Sequence, residues 1–168
     1  CGSDGKLTLD SILNYFQDSS TFHSEDMGNG MEVVEGLKRV WVLSSWQIVV
    51  NEYPKIGEHI KLGTWPYDFN RFLGGRNFIM YGDDGRVLAY ANSLWTYLNS
   101  ENGRPVRVEE EVVSKYQLEP KYDMEYADRK ITLPEEMEEK ESFPVEIYHL
   151  DTNHHVNNGQ YVKMAGAY

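Results

Sequence analysis

Three polar side chains at alternate positions near the end of the chain are of the types that hydrolysis of an ester or thioester needs. Asp151, Asn153 and His155 supply a carboxylate, a carboxamide and an imidazole. Alternate side chains of an extended segment point to the same side, so we expect these groups to converge. The carboxylate or the imidazole can activate a water, and the carboxamide can hold that water or the carbonyl. We therefore predict that all three residues are catalytic.

A helix is predicted to begin directly after this segment. Asn157 or Asn158 can cap it, which leaves its first backbone N–H groups aimed at the same region. Such amides can polarise a thioester carbonyl, so we predict that Asn157 and Asn158 bind substrate through the helix N-terminus. Taken alone, Asp151 would instead be typical of a turn residue that bonds the backbone after it.

The neighbouring histidines also raise the question of a metal site. His149, Asp151, His154 and His155 lie close in sequence. Zinc requires about four ligands that converge tetrahedrally. The adjacent side chains of His154 and His155 diverge in an extended loop, and the sequence has no second cluster of histidine or cysteine. We therefore expect no metal, and a structural role for His154.

The string Asp-x-Asn-x-His-Val-Asn-Asn-x-x-Tyr over residues 151–161 resembles the active-site loop and helix start of the acyl-acyl carrier protein thioesterases, which are double hot-dog proteins. Single hot-dog acyl-CoA thioesterases carry a similar string, usually with a second Asp where this chain has Asn153. The resemblance covers nearly the whole chain, and its other segments lie at residues 13–18, 41–46, 57–66 and 89–95.

This resemblance implies a thioester hydrolase that releases free fatty acid from acyl carrier protein in fatty acid biosynthesis. The partner would be an acyl carrier protein whose phosphopantetheine arm holds the acyl chain. That arm belongs to the substrate, so the enzyme is expected to need no cofactor. The first hot-dog would line the acyl channel. Two alternatives stay open, which are an acyl-CoA thioesterase and a non-catalytic acyl-binding hot-dog module.

The resemblance also implies a second complete sheet after the second helix, with a further acidic or cysteine catalytic residue on it. This sequence begins without an initiator Met and stops at Tyr168, partway through that helix. We therefore expect an internal fragment of a longer open reading frame, and we expect the remaining catalytic residue beyond Tyr168.

The charge of the chain limits its partners. A net charge of −11 argues against a nucleic-acid binder, which would need a basic face. Acyl carrier proteins are also acidic, so docking would require a local basic patch. The candidates for that patch are Arg71, Arg76, Lys115, Lys121, Arg129 and Lys130.

The apolar runs and the single cysteine of the sequence indicate where the protein is located. No apolar run reaches the roughly 18 residues that a membrane helix requires, so we expect no membrane span. Cys1 is the single cysteine, which excludes an internal disulfide and favours a cytoplasmic location. The alternative is that Cys1 is the lipidated first residue of a lipoprotein. A homodimer is compatible with the sequence.

The order of helical and strand patterns predicts an α+β hot-dog fold. A helix over residues 10–26 is followed by strands over residues 39–50, 56–65, 71–81 and 86–99. In that fold an antiparallel sheet wraps around one long helix and buries its apolar stripe. The residues of this stripe are Ile12, Leu13, Tyr15, Phe16 and Phe22.

Three regions are predicted along the chain. Residues 1–106 form the N-terminal hot-dog domain on the acyl-chain side. Residues 107–142 form a linker with a short helix over residues 108–117. Residues 143–168 start the C-terminal hot-dog domain with a strand over residues 143–149, followed by the catalytic loop.

Overall fold

Helix α1 (Leu9–Asp26) carries the apolar side chains around which the sheet is built. The computed structural model describes residues 1–128, 130–151 and 154–166. Ile12 and Phe16 lie four residues apart on one helix face, and both are 0% exposed. The Phe16 ring packs against Phe78 and Trp46 with centroids 5.3 and 6.4 Å apart. The middle of α1 is therefore held against the sheet by aromatic packing.

A four-stranded antiparallel sheet supplies the other side of this core. Its strands are β1 (Arg39–Val50), β2 (Ile60–Asn70), β3 (Leu73–Gly82) and β4 (Val87–Asn99). Their order in the sheet is β1-β4-β3-β2. One long helix against a long antiparallel sheet confirms the α+β hot-dog fold. The buried cluster between helix and sheet contains Ile12, Phe16, Phe78, Met80, Leu88, Ala89 and Ala91.

Two residues of the predicted apolar stripe do not belong to the core. Tyr15 is 43% exposed and Phe22 is 67% exposed. Ile12, Phe16 and Ser20 follow one another at four-residue spacing and face the sheet, whereas Phe22 lies off that row. The buried face of α1 is therefore narrower than the sequence predicts.

Strand β2 begins four residues later than expected, at Ile60. Gly57 has φ +81°, and the Glu58 amide donates to the Lys55 carbonyl at 3.0 Å. These contacts form a turn where the sequence predicts a strand. The strand then continues through Pro66, where the pairing shifts between Pro66 and Asp68. Such an irregularity accommodates proline, because proline has no amide to donate to a neighbouring strand.

Two short helices pack against one end of the sheet. Helix α2 (Met31–Gly36), which the sequence does not predict, follows directly on the end of α1. Helix α3 (Glu110–Ser114) is shorter than the helix predicted over residues 108–117. Val34 of α2 and Val112 of α3 are buried against Tyr97 of β4. Both helices thus cover the part of the sheet that α1 does not reach.

The segment after α3 crosses the outer face of the sheet. Asn77 alternates with the core residue Phe78, so its side chain points to the other face, where it is 0% exposed. Its Oδ1 atom accepts hydrogen bonds from the Tyr122 amide and the Tyr126 hydroxyl, each at 3.1 Å. Its Nδ2 atom donates to the Ala91 carbonyl at 3.2 Å. One buried carboxamide therefore attaches this segment to the sheet.

The strand predicted over residues 143–149 is wrong. Residues 147–149 form one turn of 3-10 helix, and residues 143–146 have no regular structure. A strand requires a neighbour that accepts its backbone hydrogen bonds, and none of the four strands among the described residues lies beside this segment. Helix α4 (Asn158–Ala165) follows, as predicted. The division of the chain at residues 106 and 142 stays a prediction.

Among the described residues, no helix combines the length and the apolar character that crossing a bilayer requires.

Candidate active site

Backbone contacts join Leu150 and Asp151 to His155 and Val156. Leu150 and Val156 form a backbone bridge. The Asp151 amide donates to the His155 carbonyl at 2.8 Å. The carboxylate oxygen Oδ1 of Asp151 accepts the His155 amide at 3.1 Å. Backbone and side chain of Asp151 thus both hold His155 close to it.

A turn replaces the extended conformation that the sequence predicts. His154 has φ +59°, and its amide donates to the Asp151 carbonyl at 3.0 Å. Asp151 and His155 are therefore brought together by a turn and not by strand-like alternation. Asn153, the third predicted catalytic residue, lies outside the described residues. The catalytic roles of Asp151, Asn153 and His155 stay predictions.

Asn157 is the residue that caps α4. Its Oδ1 atom accepts the Gly159 amide at 2.8 Å, and its carbonyl accepts the Gln160 amide at 2.9 Å. Asn158 has a different role, because its Nδ2 atom donates to Oε1 of Gln17 on α1 at 2.9 Å. Of the first three amides of α4, that of Asn158 alone has no hydrogen-bond partner among the described residues. It is the amide that can reach a ligand.

A glycine lies where α4 approaches α1. Gly159 is buried, and a Cβ atom there would lie 2.5 Å from Oδ1 of Asn14. No real Cβ contact is that short, so a larger residue would require the Asn14 side chain to move, and this close approach is easiest with glycine. Together with the Asn158–Gln17 hydrogen bond, it fixes the start of α4 against the middle of α1.

His149 has a structural position next to this loop. It is 9% exposed, its Nδ1 atom accepts the Glu146 amide at 2.9 Å, and its carbonyl accepts the Asn157 amide. Across residues 1–128, 130–151 and 154–166, no group of three or more His, Cys, Asp and Glu side chains could hold a metal ion.

A cavity of about 590 Å³ extends from the loop into the space between α1 and the sheet. Asp151 and Asn157 line one part of it, together with Gln17. The aromatic residues Trp41, Phe69 and Trp95 line another part of it. The predicted catalytic loop and the inner face of this domain therefore share one continuous space.

The aromatic residues of the sequence divide into two groups that the sequence does not distinguish. Trp46 and Phe78 pack against each other in the core with centroids 4.9 Å apart and ring planes tilted by 47°. Trp41 instead lines the cavity and packs on Phe69 and Tyr97, at 5.9 and 4.6 Å. Strict alternation would place Trp41 and Trp46, which are five residues apart, on opposite faces. The irregularity in β1 between Leu43 and Ser45 instead brings both to the same side of the sheet.

The cavity wall also contains polar residues that no pattern in the sequence identifies. Asn29 and Arg76 both line the cavity and are 4% and 7% exposed. Arg76 was a candidate for a docking patch, and its burial excludes that role. Its Nη1 atom donates to Nδ1 of His23 at 3.0 Å and to Oγ1 of Thr64 at 3.2 Å. Among the described residues, no carboxylate forms an ion pair with it.

Burial lowers the pKa values of both Arg76 and His23. Desolvation lowers the pKa of Arg76 to about 10, so the guanidinium remains charged at neutral pH. Burial, and then the charge of Arg76, lower the pKa of His23, while Asp26 acts in the opposite direction. Because arginine can only donate, the bonded nitrogen of His23 must be unprotonated. His23 is therefore a neutral acceptor for Arg76.

We expect the imidazole of His23 to titrate below pH 6.5, and Arg76→Met to move its pKa upward. NMR titration of the histidine ring protons measures both values. Because the unfolded state then binds more protons, His23 also makes the free energy of unfolding decrease as the pH falls below about 6.5. A His23 pKa that Arg76→Met leaves unchanged would contradict the proposed contact.

Comparisons with known proteins agree on one family. A family model described as the acyl-ACP thioesterase N-terminal domain matches residues 1–116. An acyl-[acyl-carrier-protein] hydrolase of Cuphea viscosissima, named as chloroplastic, is 24% identical over 176 residues. A palmitoyl-acyl carrier protein thioesterase of Arabidopsis thaliana, also named as chloroplastic, is 26% identical over 176 residues. Each alignment covers 96% of this chain but 42% of the relative, so the chain spans less than half the length of these proteins.

Solved structures give the same result for the fold. An acyl-ACP thioesterase from Bacteroides thetaiotaomicron matches with a TM-score of 0.85 and 26% identity, over 99% of this chain and 68% of that one. A 12:0-ACP thioesterase from Umbellularia californica matches with a TM-score of 0.76 and 20% identity, over 96% of this chain and 67% of that one.

Proposed function

The chain belongs to the acyl-ACP thioesterase family, and on that premise we propose that the protein hydrolyses the thioester between a fatty acyl chain and acyl carrier protein. The products are a free fatty acid and the thiol of the phosphopantetheine arm. The proposal needs no cofactor of the enzyme's own, since the prosthetic arm arrives with the substrate.

The observation that carries this proposal is the shared space between loop and domain. Asp151 and Asn157 line the cavity that continues along α1 to Trp41, Phe69 and Trp95. An acyl chain in this cavity would have its thioester end at the turn and its hydrocarbon against aromatic side chains. Aromatic side chains suit the hydrocarbon of such a ligand, and the polar groups of the loop suit its thioester.

The proposed chemistry assigns a role to each polar group of the loop. Asp151 removes a proton from water directly, or orients His155 to do so, while Asn153 holds the water or the carbonyl. The oxygen of the water forms a bond to the thioester carbon, and the carbonyl oxygen becomes an oxyanion. The amide of Asn158 and the positive end of α4, which Asn157 caps, stabilise that oxyanion. The carbon–sulfur bond then breaks, and the sulfur takes up the proton.

Docking of the acidic carrier would use exposed basic residues on this domain. Arg71, Lys121 and Lys130 are exposed, whereas Arg129 lies outside the described residues. Lys121 is held over the rings of Tyr67 and Tyr126, at 5.0 and 4.8 Å from their centroids. A fixed ammonium group on the surface is suited to steer an anionic partner.

The test compares two carriers that hold the same acyl chain. We expect the full-length gene product to hydrolyse acyl-ACP with a kcat/KM about tenfold or more above that for acyl-CoA, because only the protein carrier can use a docking surface. The advantage should shrink as salt is added, since salt screens exposed charges. Release of free fatty acid measures both rates.

Other results of this comparison would favour one of the two alternative functions. Equal rates on the two carriers, without salt dependence, would favour an acyl-CoA thioesterase. Acyl binding without turnover on either carrier would favour a non-catalytic module.

We also propose a homodimer and a cytoplasmic location. Light scattering after gel filtration tests the homodimer. Localisation of a tagged protein tests the cytoplasmic location, which differs from that of the chloroplastic plant relatives.

A further inference from the structure

A buried cation without a counterion lies in the wall of the cavity. Arg76 is 7% exposed, and it lines the cavity. Among the described residues, no carboxylate lies within ion-pair distance of its guanidinium. A buried charge destabilises a protein unless an opposite charge pairs with it. An anionic ligand bound to Arg76 would supply that charge.

One edge of the Arg76 guanidinium is free for such a ligand. Its hydrogen bonds to His23 and Thr64 both use Nη1, and the guanidinium lies over the Tyr116 ring, 5.8 Å from its centroid. Nε and Nη2 donate to none of the described residues, and neither belongs to the unpaired side-chain atoms that are closed to solvent. Both are therefore accessible. Their N–H bonds point in the same direction, so they can bind the two oxygens of one carboxylate.

The other charged groups of the cavity wall do not pair with Arg76. The second cation, Arg39, forms an ion pair with Glu109 at 2.8 Å. The Oε1 atom of Glu25 accepts the Met31 amide at 3.0 Å. The remaining carboxylates of the wall are those of Asp18, Glu35 and Asp151. Because these negative charges repel a small anion, a ligand needs apolar contacts in addition to the guanidinium.

The aromatic side chains of the cavity supply such apolar contacts. Trp41, Phe69 and Trp95 line the same space as Arg76. A ligand that suits both the guanidinium and these rings has a carboxylate at one end and a hydrocarbon chain behind it. A free fatty acid has this form.

Arg76 lies away from the predicted catalytic loop. It bonds to His23, whereas Gln17 holds Asn158 at the start of α4. His23 and Gln17 are both on α1, six residues apart, and six residues of helix span about 9 Å. A carboxylate on Arg76 is thus displaced along α1 from the position proposed for the thioester. A fatty acid held there would occupy the cavity without meeting the catalytic groups.

We infer that Arg76 binds the carboxylate of a free fatty acid, which occupies the cavity in competition with the acyl chain of the substrate. The inference rests on the proposed function, because that function makes the fatty acid a product. In the substrate the same carbon is part of an uncharged thioester, so Arg76 favours the product. The consequence is inhibition of the enzyme by its own product.

Calorimetry with the full-length gene product tests this binding without turnover. The probes are dodecanoate and dodecanol, which have the same number of carbons and differ in charge. We expect dodecanoate to bind about tenfold or more tightly at a slightly alkaline pH, where the acid is ionised and Arg76 is charged. Affinities that are equal or that favour dodecanol, or no binding of dodecanoate, would overturn the inference.

Substitutions assign the preference to Arg76. Arg76→Met should abolish the advantage of dodecanoate, while dodecanol binds at least as well. Arg104→Met is the matched control, because it removes the same charge from an exposed position that does not line the cavity. It should keep the advantage. A folded Arg76→Met protein that still prefers dodecanoate, or loss of the preference in both variants, would refute the assignment.

A second readout needs the wild type alone and therefore decides the question even where Arg76→Met does not fold. Burial, and then the charge of Arg76, lower the pKa of His23. A carboxylate on Arg76 offsets that charge, so dodecanoate should raise the pKa of His23 relative to dodecanol. NMR titration of the histidine ring protons measures the difference. Equal values with the two ligands would place the acid elsewhere in the protein.

Steady-state kinetics test the competition. Dodecanoate should raise the KM for acyl-ACP without lowering kcat, and Arg76→Met should raise its inhibition constant about tenfold. Inhibition that lowers kcat, or that Arg76→Met leaves unchanged, would contradict competition for the cavity.

Failure of this inference and failure of the proposed function are distinguishable. Release of fatty acid from acyl-ACP tests the function, whereas binding of dodecanoate tests the inference. An enzyme that hydrolyses acyl-ACP but binds dodecanoate no better than dodecanol keeps the function and loses the inference. A protein that binds dodecanoate through Arg76 but hydrolyses neither carrier keeps the carboxylate site and loses the hydrolase.

Discussion

Asp151→Asn in the full-length gene product is expected to lower kcat for acyl-ACP by about 10²- to 10⁴-fold, the range that positioned acid–base groups contribute. The Oδ1 atom of Asp151 accepts the His155 amide at 3.1 Å. An asparagine at this position can accept the same hydrogen bond, so the turn is expected to persist. The substitution therefore removes the negative charge and the basicity while it preserves the local structure.

Two further variants separate charge from structure. Asp151→Ala removes both the charge and the hydrogen bond, so it should lose activity and also loosen the loop. Asp4→Asn is the matched control, because Oδ1 of Asp4 also accepts a nearby backbone amide, that of Lys6 at 3.0 Å, and Asp4 does not line the cavity. It should leave kcat unchanged. Turnover of Asp151→Asn close to that of wild type would remove Asp151 from the mechanism.

Phe16→Ala is expected to lower the free energy of unfolding by about 3–5 kcal/mol, as phenylalanine truncations in cores do. Phe16 is 0% exposed and packs between Trp46 of β1 and Phe78 of β3. Its removal leaves a cavity where helix and sheet meet, which rigid neighbouring rings cannot fill. Denaturant-induced unfolding, followed by circular dichroism, measures the change.

The same helix supplies the control. Phe22→Ala removes the same side chain six residues further along α1, where it is 67% exposed. Its effect should stay within about 0.5 kcal/mol, as is usual for surface positions. Similar losses for the two variants would mean that α1 packs with a different face against the sheet.

How far the sequence predicts this site depends on the range of the interactions involved. The cap of α4 follows from local chemistry, since Asn157 bonds an amide two residues away. The pairing of Asp151 with His155 was expected, but for a different reason from the turn that produces it. The attachment of Asn158 to Gln17 joins residues 141 positions apart, and no local pattern predicts it.

The sequence by itself determined the family resemblance, the long helix α1 and the four strands, because apolar periodicity and turn residues act over a few neighbouring positions. Strand β1 occupies the predicted residues 39–50. The tertiary structure alone decided that Arg76 is buried beside His23, that Trp41 lines a cavity while Trp46 packs in the core, and that Asn29 is buried in the cavity wall. These properties depend on which distant segments meet and on the water they exclude, and neither is encoded in the spacing of nearby residues.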